Sequence, residues 1–168
     1  SPGQNWTGWL TGKVADPRKW DNEHPYLYTM KIELGNADVT TEQIEKRFGF
    51  REVEVQGNRL LVNGKPVKLR GVCRHEAHPL TGRVMTPELE RKDVELYRAA
   101  NCNFIRTSHY PPCEELLEIC DELGMFVEVE APVCWIGHHA NENWKVLDYQ
   151  DSTYYPYVLQ ANMETIHF

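Results

Sequence analysis

The chain has 168 residues, a formal net charge of −7 and a hydrophobic fraction of 41%. This length allows one or two domains with a buried core. Scattered basic residues in an acidic chain argue against nucleic acid and anionic membrane surfaces as partners, and no apolar run reaches the ~20 residues of a membrane-spanning helix.

The first third of the chain alternates between apolar and polar residues, as half-buried strands do. A Gly/Asn turn between two alternating runs predicts a hairpin over residues 51–64. This spacing predicts an antiparallel β-sandwich, assigned to residues 1–66, with Trp20 in its core. The other predicted strands cover residues 9–14, 27–34 and 48–55.

After residue 66 the pattern changes to short apolar strands separated by helices. Thr86-Pro87 has the hydroxyl-then-proline signature of a helix start, and Gly124 is placed to cap the end of the next helix. Strand followed by helix, three times over, predicts parallel β/α units. The predicted strands cover residues 67–72, 103–109 and 125–132, and the predicted helices begin near residues 87, 112 and 154.

Polar side chains follow each of these three strands. In parallel β/α units the functional groups gather beyond the carboxyl ends of the strands, so we expect these residues to meet around one pocket. They are Arg74, His75, Glu76 and His78 after the first strand, Ser108 and His109 after the second, and Glu130 at the end of the third.

His109 is the sharpest candidate for binding a sugar, because an imidazole can donate a hydrogen bond to a hydroxyl and accept one from it. Arg106, within the strand before it, is expected to be a structural cation that pairs with Glu128 or Glu130. Each histidine taken singly is better explained as a hydrogen-bonded structural residue. Their shared position at the strand ends favours a functional interpretation.

A metal site is a weaker interpretation of the same residues. His75-Glu76-Ala77-His78 lacks the helical H-E-x-x-H spacing of a zinc protease. Looser metal binding by His75, Glu76 and His109 stays open, since imidazole and carboxylate suit several divalent ions.

The cysteines do not indicate a metal or redox site. None forms a C-x-x-C pair, and an odd number argues against a disulfide framework. Buried free thiols are therefore expected at Cys73, Cys102, Cys113, Cys120 and Cys134.

A long loop over residues 133–152 carries Trp135, Trp144, His138 and His139. Long loops at this end of a barrel usually shape the pocket. A tryptophan face can stack on a sugar ring or simply pack the loop, and the sequence favours neither.

Three stretches resemble glycoside hydrolase family 2, the β-galactosidases and β-glucuronidases. They are NGKPVKLRGVCRHEAHPLTGRVMT, FIRTSHYPPCEELLEICDELG and FVEVEAP. Similarity to the family's immunoglobulin-like domain, which precedes its barrel, is found in ADPRKWDNEHPYLYTMKIEL and KRFGFREVEV. The resemblance covers nearly the whole chain. It implies a retaining exo-β-glycosidase on a (β/α)₈ TIM barrel, whose first three β/α units are residues 67–168.

The resemblance also carries expectations for the site. Both catalytic glutamates of the family would lie beyond Phe168, so no catalytic residue is assigned here. The family's magnesium ligands are replaced by Cys134 and Ile136, and Cys73 replaces a usual asparagine, so no metal is assigned either. The predicted substrate contacts are His75, His109 and Trp135, and the predicted supporting residues are Arg74, Glu76, Arg106 and Glu130.

The expected substrate is a carbohydrate with a terminal β-linked sugar. The resemblance favours a β-galactosidase, with a β-glucuronidase as the alternative. Three β/α units cannot close an eight-stranded barrel, so the chain is expected to be part of a larger enzyme and to hydrolyse no aryl β-glycoside alone. A non-catalytic carbohydrate-binding protein and a metal-dependent hydrolase stay open as alternatives, as do a homo-oligomeric parent and a cytoplasmic or exported location.

Overall fold

The computed structural model describes residues 7–36, 39–132 and 155–167. The first part of the described chain forms two separate antiparallel sheets. A two-stranded sheet pairs Ile32 with Ile44 and Tyr28 with Phe48, and a three-stranded sheet follows it. The strands are β1 (Tyr28–Gly35), β2 (Thr40–Phe48), β3 (Val53–Gln56), β4 (Arg59–Val62) and β5 (Lys65–Val67).

Two of the predicted strands are wrong. Residues 9–14 form no strand, and Trp9 and Leu10 are almost fully exposed, so nothing among the described residues pairs with or covers this stretch. The strand predicted over residues 48–55 is interrupted: Phe48 ends β2, residues 49–52 connect the strands, and Val53 begins β3. The hairpin over residues 51–64 is confirmed as β3 and β4, with Gly57 at a φ of 62° in the turn.

The second part of the chain contains a parallel sheet with the strand order β6–β7–β8. β6 begins later than the sequence predicts, because Val67 belongs to β5, where it pairs with Leu60 of β4. The alternation of strands and helices is as predicted. Its elements are β6 (Gly71–Arg74), α1 (Pro87–Ala99), β7 (Phe104–Thr107), α2 (Glu114–Leu123), β8 (Phe126–Glu128) and α3 (Tyr155–His167). The sandwich arrangement, the number of β/α units and the division of the chain at residue 66 stay predictions.

One face of the parallel sheet packs on α1 and α2. Its core cluster consists of Val94, Ile105, Leu116, Ile119, Cys120 and Met125. Burial raises the pKa of the Cys120 thiol to about 12, which keeps this thiol protonated and inert. Cys102 and Cys113 are partly buried, whereas Cys73 is exposed, so the expectation of a buried thiol is wrong there. The side chain of Cys73 lies on the other face of the sheet. Cys134 lies outside the described residues.

Trp20 is buried and contacts both parts of the chain: its amide donates a hydrogen bond to the Phe50 carbonyl, and its side chain reaches the second part. Its indole Nε1 donates a hydrogen bond to the Asp121 carbonyl of α2, and its ring meets Phe126 of β8 edge to face at 5.6 Å. The burial of Trp20 is as expected, whereas its place in a sandwich core stays a prediction, as the sandwich itself does. Trp20 joins the first third of the chain to the parallel sheet.

The helix ends follow the predicted chemistry. Thr86 is the N-cap of α1, where its Oγ1 accepts a hydrogen bond from the Leu89 amide, and Pro87 is the first helical residue. Gly124 caps the C-terminus of α2 in the left-handed conformation, with φ 74°. No helix among the described residues is long and apolar enough to cross a membrane.

Replacing Gly124 by alanine is expected to destabilise the protein by more than the ~1 kcal/mol that a left-handed alanine costs. A Cβ at this position would lie 2.3 Å from the Asn22 carbonyl oxygen, so the backbone must also move. Gly57→Ala is the matched control, because Gly57 has a similar φ and a Cβ added there would meet nothing within 4 Å. In urea unfolding, the midpoint of Gly124→Ala should lie at a lower urea concentration than that of Gly57→Ala. Equal midpoints would contradict the close approach of the Asn22 backbone to Gly124.

Candidate functional site

The structure brings together the polar residues that follow β6, β7 and β8. The rings of His75 and His109 meet edge to face, with their centroids 5.2 Å apart. His109 Nδ1 lies 2.9 Å from Glu130 Oε1. Three residues that are far apart in the sequence thus form one cluster at the carboxyl edge of the parallel sheet.

Two residues of β7, Thr107 and Arg106, hold Glu130 in place. Its amide donates a hydrogen bond to Thr107 Oγ1 at 3.1 Å, and its Oε2 lies 2.8 Å from Arg106 Nη2. This oxygen is buried and has no aligned hydrogen bond, so the contact with Arg106 is an ion pair rather than a directed hydrogen bond. Of the two carboxylates considered for Arg106, Glu130 forms the ion pair, while Glu128 is the strand neighbour of Arg106.

Arg106 also touches the exposed thiol. Its Nη1 lies 3.9 Å from Cys73 Sγ, and the contacts with Cys73 and Glu130 raise the pKa of the guanidinium. The peptide bond between Ser108 and His109 is cis. The Ser108 amide donates to the Arg74 carbonyl at 2.8 Å, which ties the end of β7 to the end of β6.

Arg74 lies on the helix side of the sheet and is almost completely buried. Its Nη2 lies 2.5 Å from Glu90 Oε2 and 3.0 Å from Asp93 Oδ2, both on α1. A guanidinium that bridges two carboxylates in this way fixes the strand end against the helix. Arg74 can therefore support His75, the next residue in the chain, without contacting a ligand itself.

A second polar cluster includes Glu76, the residue after His75. One ligand atom from each of Glu76, Glu90 and Cys113 lies within 4.8 Å of the others. Burial raises the pKa of Glu90 and of Cys113, and one oxygen of Glu90 is already taken by Arg74. Burial thus disfavours the thiolate form of Cys113, while Arg74 supports the ionised form of the Glu90 carboxyl.

This cluster differs from the metal set that the sequence left open. His75 and His109 do not belong to the group of potential ligands found among the described residues. A hard divalent ion prefers several carboxylate oxygens to a protonated thiol and an arginine-paired carboxylate. The described geometry therefore gives no support to metal binding by the histidines.

His78 is placed in a tight turn of its own. Its backbone forms a two-way bridge with Gly82, and its Nδ1 lies 3.2 Å from Thr81 Oγ1. Glu76 is fixed at the other end of this loop, where its amide donates to Tyr110 Oη at 3.3 Å. His78 thus has a structural role in the loop that follows β6.

Some predicted residues lie outside the described part of the chain, and the sequence analysis missed others that the structure places near the site. Trp135, Cys134, Ile136, Trp144 and the histidines at 138 and 139 lie outside the described residues. The sequence interpretation missed Glu90, Asp93 and Thr107. Glu90 stands four residues before buried Val94, on the buried face of α1, and a charged residue on such a face signals a buried partner.

Comparisons with known proteins give one family for both parts of the chain. The family described as "Glycosyl hydrolases family 2, TIM barrel domain" matches residues 53–167, and "Glycosyl hydrolases family 2" matches residues 3–51. A putative β-glucuronidase of Formosa agariphila is 41% identical over 79% of this chain and 16% of its own length. A β-galactosidase of Pseudoalteromonas haloplanktis is 40% identical over 71% of this chain and 12% of its own length.

Solved structures agree with the sequence relatives. A β-glucuronidase from Ruminococcus gnavus superimposes with a TM-score of 0.67 at 34% identity, over 71% of this chain and 20% of that protein. A Parabacteroides merdae β-glucuronidase gives a TM-score of 0.63 at 37% identity, over 68% of this chain and 14% of that protein. The chain therefore spans less than a quarter of each of these relatives.

Proposed function

The chain belongs to glycosyl hydrolase family 2, and from this premise we propose that it is part of an enzyme that hydrolyses terminal β-linked sugars with retention of configuration. The observation that carries the proposal is the cluster of His75, His109 and Glu130 at the carboxyl edge of a parallel β/α sheet. That edge is where barrel enzymes of this architecture place their active sites.

The role proposed for this chain is to bind the sugar rather than to break its bond. His75 and His109 contact sugar hydroxyls, and Trp135 stacks on the ring. Glu130 and Arg106 support His109, as Arg74 and Glu76 support the loop of His75. This assignment is supported by the hydrogen bond to His109 Nδ1 and by the buried position of Arg74.

Neither glutamate of this cluster is proposed as nucleophile or acid/base. A retaining glycosidase needs two carboxyl groups about 5–5.5 Å apart on either side of the scissile bond. Glu130 is engaged by Arg106 and His109, and the Glu76 carboxylate lies against Glu90 and Cys113. The family resemblance assigns both catalytic glutamates to positions after residue 168.

The same premise extends to the fold. We propose that residues 67–168 supply the first three β/α units of a (β/α)₈ barrel, and that residues 1–66 belong to an immunoglobulin-like sandwich. Support comes from the parallel order β6–β7–β8 with helices between the strands, and from the antiparallel sheets of the first third.

The preferred sugar is proposed to be a neutral β-galactoside, with a β-glucuronide as the alternative. A uronate carboxylate would need an uncompensated cation in the pocket. Arg106 is paired with Glu130, and Arg74 with Glu90 and Asp93, so both site arginines are already neutralised. Because some relatives are named as β-glucuronidases, a β-glucuronide is tested beside the β-galactoside.

The test is turnover by the full-length protein that contains this chain. Nitrophenyl β-galactoside should be cleaved, with β-glucuronide cleaved more slowly, and both rates should survive treatment with a chelator. Sugar binding without turnover would instead support a carbohydrate-binding protein, and loss of activity on chelation would support the metal-dependent alternative. The 168-residue chain alone should show no turnover.

Variants of the two histidines test the role of this chain. His109→Ala and His75→Ala should each lower kcat/KM about tenfold or more, because each removes a hydrogen bond to the sugar. His24→Ala is the matched control, since His24 is an exposed histidine whose ring contacts Asp21 in the first third of the chain. Unchanged kinetics in both site variants would refute the assignment even in an active enzyme.

A further inference from the structure

We propose that Arg83 forms a binding subsite for an oxyanion carried by the leaving group of the substrate, outside the terminal sugar. The ligand class is a β-glycoside whose leaving group bears a carboxylate or a similar oxyanion. This inference rests on the proposed function, because it adds a leaving-group subsite to the same pocket.

Arg83 differs from the other arginines near the site because it has no carboxylate partner. Arg74 and Arg106 both form ion pairs. Among the described residues, the exposed side chain of Arg83 forms no ion pair and no hydrogen bond, and its contact is with an aromatic ring. An arginine side chain is a permanent cation, so the charge of Arg83 is available to a ligand.

The aromatic ring that holds this cation belongs to Tyr110. Arg83 Cζ lies over the ring, 5.7 Å from its centroid, which is within the range of a cation–π interaction. Such a contact restrains the guanidinium without placing a negative charge beside it. The planar fork of N–H donors can then bind two oxygens of one carboxylate.

Tyr110 also places Arg83 beside the sugar-binding residues. It directly follows His109, and its Oη accepts a hydrogen bond from the amide of Glu76, the residue after His75. The Tyr110 side chain therefore joins the loops that follow β6 and β7. Barrel active sites are built from these loops. The histidines follow the strand ends directly, whereas Arg83 lies further along its loop, so we assign Arg83 to the part of the substrate beyond the terminal sugar.

The turn that carries Arg83 is well ordered by its own hydrogen bonds. On one side, the Gly82 amide donates to the His78 carbonyl at 2.9 Å. On the other side, the Val84 carbonyl accepts a hydrogen bond from Thr81 Oγ1 at 2.8 Å. Because both neighbours of Arg83 in the chain are fixed, less conformational entropy is lost when a ligand binds its side chain.

Calorimetry of the full-length protein with two thioglycosides tests the subsite. The ligands are 4-carboxyphenyl and 4-carbamoylphenyl 1-thio-β-galactoside, which have nearly the same shape and differ in charge. The carboxylate should bind about three- to tenfold more tightly, and high salt should reduce this ratio of affinities. Arg83→Gln should bring the ratio close to one, whereas Arg83→Lys should keep part of it because the charge remains.

Two controls separate the charge of Arg83 from other effects. Arg59→Gln is the matched variant, since Arg59 is an exposed arginine at the start of β4, and it should leave the ratio as in the wild type. Tyr110→Phe retains the ring under the guanidinium, so the ratio should persist there. A wild-type ratio of one, or a ratio unchanged by Arg83→Gln, would overturn the proposal. It would also be overturned if Arg83→Gln weakened binding of phenyl 1-thio-β-glucuronide and left the ratio unchanged, because Arg83 would then recognise the sugar itself.

The two proposals fail differently. Cleavage of nitrophenyl β-galactoside without any preference for the carboxylate would leave the proposed function standing and refute this inference. A full-length protein that cleaves no β-glycoside would refute the proposed function, and the ratio of the two binding constants would still decide whether Arg83 selects the anionic ligand.

Discussion

Replacing Arg74 by methionine is expected to lower the free energy of unfolding by about 3–5 kcal/mol, the cost of leaving one partner of a buried ion pair alone. The Arg74 side chain is 2% exposed and that of Glu90 1% exposed, with 2.5 Å between their charged groups. Methionine has a similar length and no charge, so it keeps much of the packing while it removes the compensation of Glu90. Chemical unfolding in urea is the measurement.

The pH dependence of this loss has a definite sign. Burial already raises the pKa of Glu90 above its ordinary value of 4.5, and Arg74 is the main group that lowers it. Without Arg74 the pKa of Glu90 in the folded state should rise further, so that the folded state binds a proton more tightly than the unfolded state. The deficit should then be largest at pH values above the raised pKa and should shrink as the pH falls towards 4.5.

A double variant separates charge from packing. Arg74→Met combined with Glu90→Gln should recover most of the lost stability, because no buried charge is left without a partner. Glu90→Gln alone should cost less than Arg74→Met, since Arg74 keeps Asp93 at 3.0 Å. A deficit in Arg74→Met that is independent of pH, or that the second substitution fails to reduce, would contradict this account.

The second half of the fold could be predicted because its signals are local and strong. The end of each parallel strand coincides with a change from apolar to polar residues, and Thr86-Pro87 and Gly124 mark helix ends by their backbone preferences. The convergence of His75, His109 and Glu130 then follows from topology, since the carboxyl ends of neighbouring parallel strands lie side by side.

The first third of the chain was harder to predict, because its strand signals are weak. In β2 only Ile44 and Phe48 are large apolar residues, so period-two alternation is hidden among charged and polar side chains. The strand exists because its register places Ile44 opposite Ile32 and Phe48 opposite Tyr28. Residues 9–14 contain three large apolar residues and form no strand, which shows that apolar content without a pairing partner does not fix structure.

Side-chain pairing within the site was only partly accessible to sequence reasoning. A carboxylate partner for Arg106 was expected at Glu128 or Glu130, since a cation in a strand needs a nearby carboxylate, and Glu130 is the one that forms the ion pair. The partners of Arg74 were missed because α1 is amphipathic, and its acidic residues were therefore expected to face solvent. Which carboxylate turns inward depends on how the helix packs on the sheet, a tertiary property that residues 87–99 do not contain.

The contacts of Trp20 with the second part of the chain are likewise a tertiary property, and its replacement by alanine is expected to cost about 3–5 kcal/mol, as for other buried tryptophans. The side chain is 1% exposed. Alanine would leave a cavity beside Phe126 and would leave the Asp121 carbonyl without the indole donor. The position of Gly49 shows how tight the contact is, because a Cβ there would lie 2.6 Å from the Trp20 Cβ.

Two further variants make this expectation specific. Trp20→Phe keeps most of the buried ring and loses the Nε1 hydrogen bond, so it should be intermediate between wild type and Trp20→Ala. Trp9→Ala is the matched control, because Trp9 is 93% exposed, and its effect should stay within about 0.5 kcal/mol. Urea unfolding followed by far-UV circular dichroism is unaffected by the loss of one indole fluorophore. Equal stability of Trp20→Ala and Trp9→Ala would mean that the first third of the chain does not depend on this contact with β8, the strand that leads to Glu130.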